Sequence, residues 1–298
     1  MNESEQVGSV GELWLFPVKS MLGERVDSLE VTTGGILGDR AYGLLDVATG
    51  KVASAKHPKR WPDLLGCRAS YVEPVRTGQP IPAARIELAD GTSVRTDAPE
   101  VDAILSHFFG REVALITAAP PEYTIDEYHP EADIFNPRGD RNVVVDQRLG
   151  AALLAALGRP SPVPDGALVD LFPVSVLTTA SLRQLATLYP GGYWDTRRFR
   201  MNIILDTSAD GLIDNDWVGK RLTVGPVVVL GVELPVPRCV MTNLAQEELP
   251  KDSQILRTLA AANRLDILGL GQLPCLGTYA VPSTAGTINR GDKAHLLS

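Results

Sequence analysis

The apolar runs of this chain are short and are separated by Gly, Pro and Asp, and this spacing constrains the fold more than any other feature. Four runs in the N-terminal part have the composition of strands: Ser9 to Phe16, Ala41 to Val47, Cys67 to Val72 and Arg85 to Leu88. The last run continues through Ala89-Asp90-Gly91 into Thr92 to Arg95, which indicates a hairpin. Strands and helices do not alternate regularly, so the pattern favours mixed β-barrels over a doubly wound sheet.

Helical spacing interrupts the strands at a few places. Val101, Ile104, Leu105 and Phe108 follow the i, i+3, i+4, i+7 pattern, and Gly110 is placed to end that helix. Further helices are predicted at Leu149 to Leu157 and at Ser253 to Asn263. A capped helix with the pattern Leu182, Leu185 and Leu188 is predicted after the strand Pro173 to Leu177. The sequence therefore predicts an α+β, β-rich fold with a few packed helices.

Two Pro-rich stretches divide the chain. Residues 118–142 are rich in Pro, Asp and Glu with weak periodicity, and residues 159–166 are again Pro-rich. We therefore predict an N-terminal domain over 1–117, a connection over 118–166 and a C-terminal domain over 167–298.

Composition excludes several classes of protein. Of 298 residues, 44% are hydrophobic and 21% charged, which is typical of a globular chain with one large or two smaller cores. The net charge of −8 argues against a general nucleic-acid or anionic-membrane surface. No apolar run approaches the ~20 residues of a membrane span, and the polar start of the chain lacks the pattern of a signal peptide. We expect a cytoplasmic protein, and three cysteines fit a reducing compartment.

One cysteine has neighbours suited to chemistry. Cys239 follows a predicted strand in Leu234-Pro235-Val236-Pro237-Arg238-Cys239, directly after a guanidinium. A nearby cation favours thiolate over thiol, and thiolate is both a nucleophile and a soft metal ligand. A buried small side chain is the competing interpretation of the same cysteine.

Anion-binding groups follow several predicted strands in this otherwise acidic chain. Each group taken alone is better explained as a solvated charge or a helix cap than as a ligand site. At the start of a predicted helix, hydroxyls and free backbone N–H groups would favour phosphate. The candidates are Lys19, Ser20, Arg40, Thr178, Thr179, Ser181, Arg198, Arg200 and Asn202.

The order of these segments resembles that of MOSC-domain proteins with the family's N-terminal β-barrel domain. The resemblance covers nearly the whole chain and rests on Leu15-Phe16-Pro17-Val18-Lys19-Ser20, Gly38-Asp39-Arg40, Leu177-Thr178-Thr179-Ala180-Ser181-Leu182, Arg198-Phe199-Arg200-Met201-Asn202, Pro237-Arg238-Cys239-Val240-Met241-Thr242 and Gly286-Thr287-Ile288-Asn289-Arg290-Gly291-Asp292. It implies a MOSC-type β-barrel with an N-terminal β-barrel subdomain.

The resemblance also implies a cofactor, the molybdenum cofactor. Cys239 would coordinate molybdenum beside the dithiolene sulfurs of the pterin, and Lys19, Arg40 and Arg200 would neutralise its phosphate. Among the remaining candidates, Asn202 and the segment Thr178 to Ser181 match polar positions around the pterin, and we add Ser20, Arg198 and Arg238 as cofactor-binding candidates. Departures from the family pattern are Met201 where proline is usual, and Val236 and Asn243 where Cys and Thr are frequent.

The resemblance predicts an oxidoreductase that reduces an N-oxygenated small molecule. No Cys-rich ferredoxin segment follows, so a separate reductase would supply the electrons. Two alternatives stay open: a sulfur carrier or sulfurtransferase with a persulfide on Cys239, and a non-catalytic cofactor carrier.

Other candidates are weaker. His57 is kept because its stretch approaches the active pocket in relatives, and Cys275 is a possible second thiol for which packing is the preferred interpretation. Cys67 is assigned to the core, and Gly269-Leu270-Gly271 to a turn. Glu131 and Asp133 could guard substrate entry, although a solvated face is the default for both.

Overall fold

The structure is a computed structural model that describes residues 4–129 and 143–297. The earlier strands are β1 (Ser4–Leu15), β2 (Glu24–Val26), β3 (Ser28–Thr32), β4 (Gly35–Ile36), β5 (Gly43–Asp46), β6 (Lys51–Val52), β7 (Arg68–Tyr71), β8 (Ala84–Glu87), β9 (Ser93–Arg95) and β10 (Val113–Ile116). The later strands are β11 (Thr124–His129), β12 (Val143–Arg148), β13 (Val174–Thr178), β14 (Ile203–Asp206), β15 (Arg221–Val224), β16 (Val228–Pro237), β17 (Arg264–Asp266), β18 (Gln272–Thr284), β19 (Gly286–Asn289) and β20 (Lys293–Leu297). The α-helices are α1 (Val101–Phe109), α2 (Gly150–Ala156), α3 (Thr179–Leu188) and α4 (Gln254–Ala262). This content confirms the predicted β-rich α+β class.

Seven strands close into a barrel in the order β13, β14, β1, β20, β15, β16 and β18, because β18 pairs back onto β13. Only β13 and β14 run parallel among these neighbouring strands of the barrel. Along β16, buried and more exposed side chains alternate, as the twofold period of a strand requires. Its inward residues Val228, Leu230 and Val232 join the barrel core. Closure leaves the barrel without a free edge.

A second core lies under the smaller N-terminal sheets. Strands β7, β8 and β9 form one sheet, and β10, β5 and β6 form another. Helix α1 packs Val101 and Leu105 into this core beside Trp61, and Gly110 ends the helix in the left-handed conformation, as predicted. Cys67 is fully buried in the same core, which confirms its packing role.

The first strand links the two halves of the chain. β1 is hydrogen-bonded between β14 and β20, so the start of the chain completes a barrel built otherwise from C-terminal strands. The described part of the predicted connection contains β11, β12 and α2, the last of which confirms the predicted short helix. The boundaries at 117 and 166 stay a prediction.

Glu131 and Asp133 lie outside the described residues. Across 4–129 and 143–297, no helix has both the length and the apolar character needed to cross a membrane.

Candidate functional site

A cavity of about 480 Å³ opens at the end of the barrel where β16 finishes, and side chains from distant parts of the chain line it. Its volume is in the range of small-molecule sites. The structure brings eight of the predicted site residues to its wall: Lys19, Ser20, Arg40, Arg198, Arg200, Asn202, Arg238 and Cys239. The cavity is therefore the candidate functional site.

The cavity is cationic although the chain is acidic. Among the described residues, two lining side chains are carboxylates, Glu127 and Asp170, and six are Lys or Arg: Lys19, Arg40, Lys56, Arg198, Arg200 and Arg238. Clustered cations in a concave, partly desolvated site attract anions. The local charge therefore opposes the net charge of −8 and favours an anionic ligand.

Two of these arginines share one aromatic ring. The guanidinium carbon of Arg40 lies 4.9 Å from the centroid of Phe16, and that of Arg200 lies 4.4 Å from it. Arg40, Arg200 and Ser20 all have positive φ, at 51°, 53° and 66°. Non-glycine residues are strained in this region, and such strain is concentrated at functional sites. The backbone thus holds these three side chains in place at an energetic cost.

Arg200 is buried with few protein partners. Within the described residues, its side chain donates a hydrogen bond to the carbonyl of Met21, and the residue is 9% exposed. Burial, with help from the charge of Arg40, lowers the pKa of Arg200 to about 9. A guanidinium has five N–H donors, so Arg200 retains donors for a ligand in the cavity.

The other two buried arginines of the cavity, Arg198 and Arg238, donate hydrogen bonds to backbone carbonyls of the protein. Arg198 donates to the carbonyls of Tyr193 at 2.9 Å, Thr242 at 3.3 Å, Leu244 at 3.1 Å and Pro250 at 2.7 Å. These contacts fasten the segment that follows Cys239. A contribution of Arg198 to cofactor binding stays a prediction.

Arg238 donates away from the thiol beside it. Its guanidinium bonds the carbonyls of Phe199 at 2.8 Å and Leu276 at 3.0 Å, and the Sδ atom of Met201 at 2.7 Å. Met201, one of the departures from the family pattern, is thus a partner of Arg238 and also lines the cavity. A contribution of Arg238 to cofactor binding likewise stays a prediction.

Cys239 sits between the end of β16 and the short 3-10 turn Val240–Asn243, half-buried and facing the cavity. Burial raises the pKa of its thiol to about 11, and Lys56 is the cation that opposes this rise. The pKa of Cys239 is therefore raised and not lowered as expected, because burial outweighs the charge of the nearby cations.

A cluster of charges lies beside the thiol, and it was not predicted from the sequence. Asp170 pairs with Lys19 at 2.5 Å and with Lys56 at 3.2 Å, and Lys56 lies 3.7 Å from Glu127. Burial alone would raise the pKa of Asp170, but the two ammonium groups hold it well below its usual range. Burial opposes the charge on Lys56, yet the two carboxylates raise its pKa well above its ordinary value. Lys56 is therefore a cation close enough to act on Cys239.

His57 does not line the cavity in the described structure. Its ring stacks on Tyr128 with centroids 6.3 Å apart, and its Nδ1 accepts from the backbone N–H of Arg60. The stretch that suggested His57 does contribute to the site, through Ser54 and Lys56.

The predicted segment Thr178 to Ser181, which carries three hydroxyl groups, lies at the start of α3. Thr178 caps the helix by accepting from the backbone N–H of Ser181, and it donates to the buried carboxylate of Asp214. Thr179 accepts from the backbone N–H of Thr207. These three residues are absent from the described cavity lining, and their predicted contact with a cofactor stays a prediction.

Cys275 and the glycine-rich turn are placed as expected. Cys275 is fully buried, and burial raises the pKa of its thiol to about 12, which supports packing. Gly269-Leu270-Gly271 is the turn between β17 and β18.

The described residues contain no cluster of three or more His, Cys, Asp or Glu side chains suited to a metal ion. Cys239 would be the soft protein donor to a metal held in this cavity by a cofactor. The donors left on Arg200 and the cationic wall also fit a phosphate-bearing group. The residues present thus fit a cofactor that brings both metal ligands and an anion.

Two protein-family models match the chain: the MOSC domain over residues 165–295, and the MOSC N-terminal beta barrel domain over residues 7–110. The chain is therefore a MOSC-domain protein that carries the MOSC N-terminal beta barrel domain, which confirms the resemblance stated above. MOSC domains are associated with binding of the molybdenum cofactor.

The chain is 24% identical over 313 residues to mitochondrial amidoxime-reducing component 1 of Homo sapiens, covering 98% of this chain and 84% of the human protein. It aligns with the YUAD protein from Bacillus subtilis over 100% of this chain and 99% of that one, at 11% identity and a TM-score of 0.43. It aligns with YiiM from Geobacillus stearothermophilus over 43% of this chain and 55% of that one, at 15% identity and a TM-score of 0.29.

Proposed function

We propose that the cavity binds the molybdenum cofactor and that the protein is an oxidoreductase that reduces an N-oxygenated small molecule. One observation carries this proposal: a half-buried thiol and a buried arginine with donors to spare line the same cationic cavity. The similarity to the human amidoxime-reducing component supports the choice of reaction.

Each part of the cofactor has a complementary part of the wall. Cys239 would be the protein ligand to molybdenum, and Lys19, Arg40 and Arg200 would neutralise the phosphate, with Ser20 beside them. Asn202 would contact the pterin; its side chain is oriented by Ser175, which donates to it at 2.8 Å. When bound, the cofactor would supply the redox chemistry.

Asp170 and Lys56 set the charge balance of the cavity around Cys239. Asp170 stays ionised between Lys19 and Lys56 and so limits the repulsion among the cations. Lys56 favours the thiolate of Cys239, the form in which sulfur binds a metal. Reduction of an N-hydroxyl substrate cleaves the N–O bond, consumes an electron pair and protons, and releases water. A separate reductase would provide the electrons.

Turnover tests this proposal. Protein from a cofactor-producing host should reduce N-hydroxybenzamidine with dithionite-reduced methyl viologen, and Cys239→Ser should fall to the rate of the dye alone. Sulfur transfer makes a different prediction from the same lone thiol, namely a persulfide on Cys239 seen by mass spectrometry in protein that retains no molybdenum. That result, or a cofactor-loaded protein without turnover, as expected of a carrier, would overturn the redox assignment.

A further inference from the structure

One side of the cavity is formed by a ribbon of two strands, β11 and β12. In the described part of the chain these strands pair with each other and with no further strand. A two-stranded ribbon has little stability of its own. Four of its side chains line the cavity: Glu127 and His129 of β11, and Val145 and Gln147 of β12. The position of this side of the cavity therefore depends on what fastens the ribbon to the rest of the protein.

The ribbon is anchored in an apolar core at its base. Ile125 is fully buried and belongs to the same apolar cluster as Val52 of β6 and Leu149. No other described residue of β11 or β12 is buried to this extent, and Val144, farther along, is 45% exposed. Segments that bury few apolar side chains open more readily than the core. The ribbon is thus suited to move about its base.

A single ammonium group fastens both strands next to this base. The Nζ atom of Lys51, on β6, lies 2.6 Å from Oδ1 of Asp126 and 3.2 Å from Oδ1 of Asp146. The two aspartates are direct partners in the register of the ribbon, and like charges at such positions destabilise a pair of strands. Lys51 therefore neutralises this repulsion and also ties the ribbon to β6.

These ion pairs are accessible to water and salt. The side chain of Lys51 is 29% exposed and that of Asp146 is 58% exposed. Ion pairs of this kind are weak and are screened by salt. They lie on the face of the ribbon opposite the cavity, because neighbouring residues of a strand alternate between its two faces. Lys51 therefore acts on the ribbon from outside the described cavity lining.

The cavity face of the ribbon is directed at the thiol. Glu127 lines the same cavity as Cys239. Burial is the larger cause of the raised pKa of the Cys239 thiol, and the charge of Glu127 adds to it. Lys56 lies between the two groups, since it is 3.7 Å from Glu127 and its charge also acts on the thiol. A ribbon that moves about its base therefore changes access to Cys239.

We propose that the β11–β12 ribbon is a lid over Cys239 and that Lys51 holds this lid closed. The described structure is the closed position. When Lys51 releases Asp126 and Asp146, the repulsion between the two carboxylates favours the open position. This inference goes beyond the proposed function, because the lid controls access to the thiol for any ligand that the cavity takes.

Alkylation of the unloaded protein by N-ethylmaleimide tests the lid. The reagent is uncharged, and peptide mass spectrometry measures its reaction with Cys239, Cys67 and Cys275 separately. Lys51→Met and Asp126→Asn should each raise the rate at Cys239 by about three- to fivefold, because both break the fastening of the ribbon. The rates at Cys67 and Cys275, which are fully buried, should stay low and unchanged.

The two variants change the net charge in opposite directions, which separates movement of the lid from a change in the local electric field. Loss of a cation disfavours the reactive thiolate, and loss of an anion favours it. Rates at Cys239 that move in opposite directions would therefore overturn the proposal, as would unchanged rates. Equal acceleration at all three cysteines would also overturn it, because the whole fold would then be opening.

Salt and a control variant complete the test. Raising NaCl from about 0.05 M to about 0.5 M should speed the reaction of Cys239 in the wild type and reduce its difference from Lys51→Met, because salt screens the ion pairs. Arg95→Met should react at the wild-type rate, because Arg95 pairs with Asp97 at 2.7 Å at the surface and lies outside the cavity lining. A salt response as large in Lys51→Met as in the wild type would contradict the role of Lys51.

Discussion

Arg200→Met should lose most of its cofactor while the unloaded protein remains folded and becomes no less stable. In the described structure Arg200 donates to one carbonyl, that of Met21, and lines the cavity, so the substitution would remove a buried cation from the phosphate of the proposed cofactor. Loss of one partner of a buried, hydrogen-bonded charge pair costs about 2–5 kcal/mol of binding free energy. Burial without a carboxylate partner is itself unfavourable, as the lowered pKa of Arg200 indicates. The unfolding free energy of the unloaded variant should therefore be unchanged or higher by about 1 kcal/mol.

Pterin content after gel filtration and urea unfolding of the unloaded protein measure the two effects separately. Arg290→Met is the control, because Arg290 is exposed, pairs with Asp27 at 3.0 Å and lies outside the cavity lining. Full cofactor retention by Arg200→Met would show that Arg200 does not hold the anion.

Arg198→Met should have the opposite effect on the fold. Four backbone carbonyls, in three separate stretches around Tyr193, Thr242 to Leu244 and Pro250, accept from this one buried guanidinium. The substitution leaves these acceptors without their donor, and we expect a loss of about 3–5 kcal/mol of unfolding free energy. Arg198→Lys should recover only part of it, since an ammonium cannot reproduce the planar fork of a guanidinium.

Urea denaturation of the unloaded protein measures this loss. Arg183→Met is a matched control, because Arg183 also donates to two carbonyls, those of Thr207 and Ala209, but at the exposed surface. We expect it to cost less than about 1 kcal/mol. A similarly small loss for Arg198→Met would show that the hydrogen bonds from Arg198 to the segment after Cys239 contribute little to stability.

Motif order was sufficient to predict the cysteine and most of the cations of the cavity. Lys19, Arg40, Arg200 and Cys239 each follow or precede a strand, and strand ends converge at one end of a barrel. The hydrogen-bond partners of Arg198 and Arg238 could not be predicted from the sequence. Both side chains donate to backbone carbonyls, and every residue has a carbonyl. No sequence pattern marks such an acceptor.

The charge cluster could not be predicted from local sequence. Lys19 and Asp170 are 151 positions apart and meet only because the fold brings their segments to one cavity. The position of β1 in the barrel could not be predicted locally either, because its partners β14 and β20 lie far along the chain. The raised pKa of Cys239 could not be predicted from its neighbour Arg238 either, because it is caused by burial, which depends on how distant segments pack.

The molybdenum and pterin content of purified protein tests the central claim most directly. Wild type and Cys275→Ala from a cofactor-producing host should each contain about one molybdenum per chain, because the buried thiol of Cys275 only packs. Cys239→Ser should lose the metal while its circular dichroism and unfolding free energy stay near those of the unloaded wild type. Wild-type protein without molybdenum, or undiminished molybdenum in Cys239→Ser, would contradict the assignment of Cys239 as the ligand.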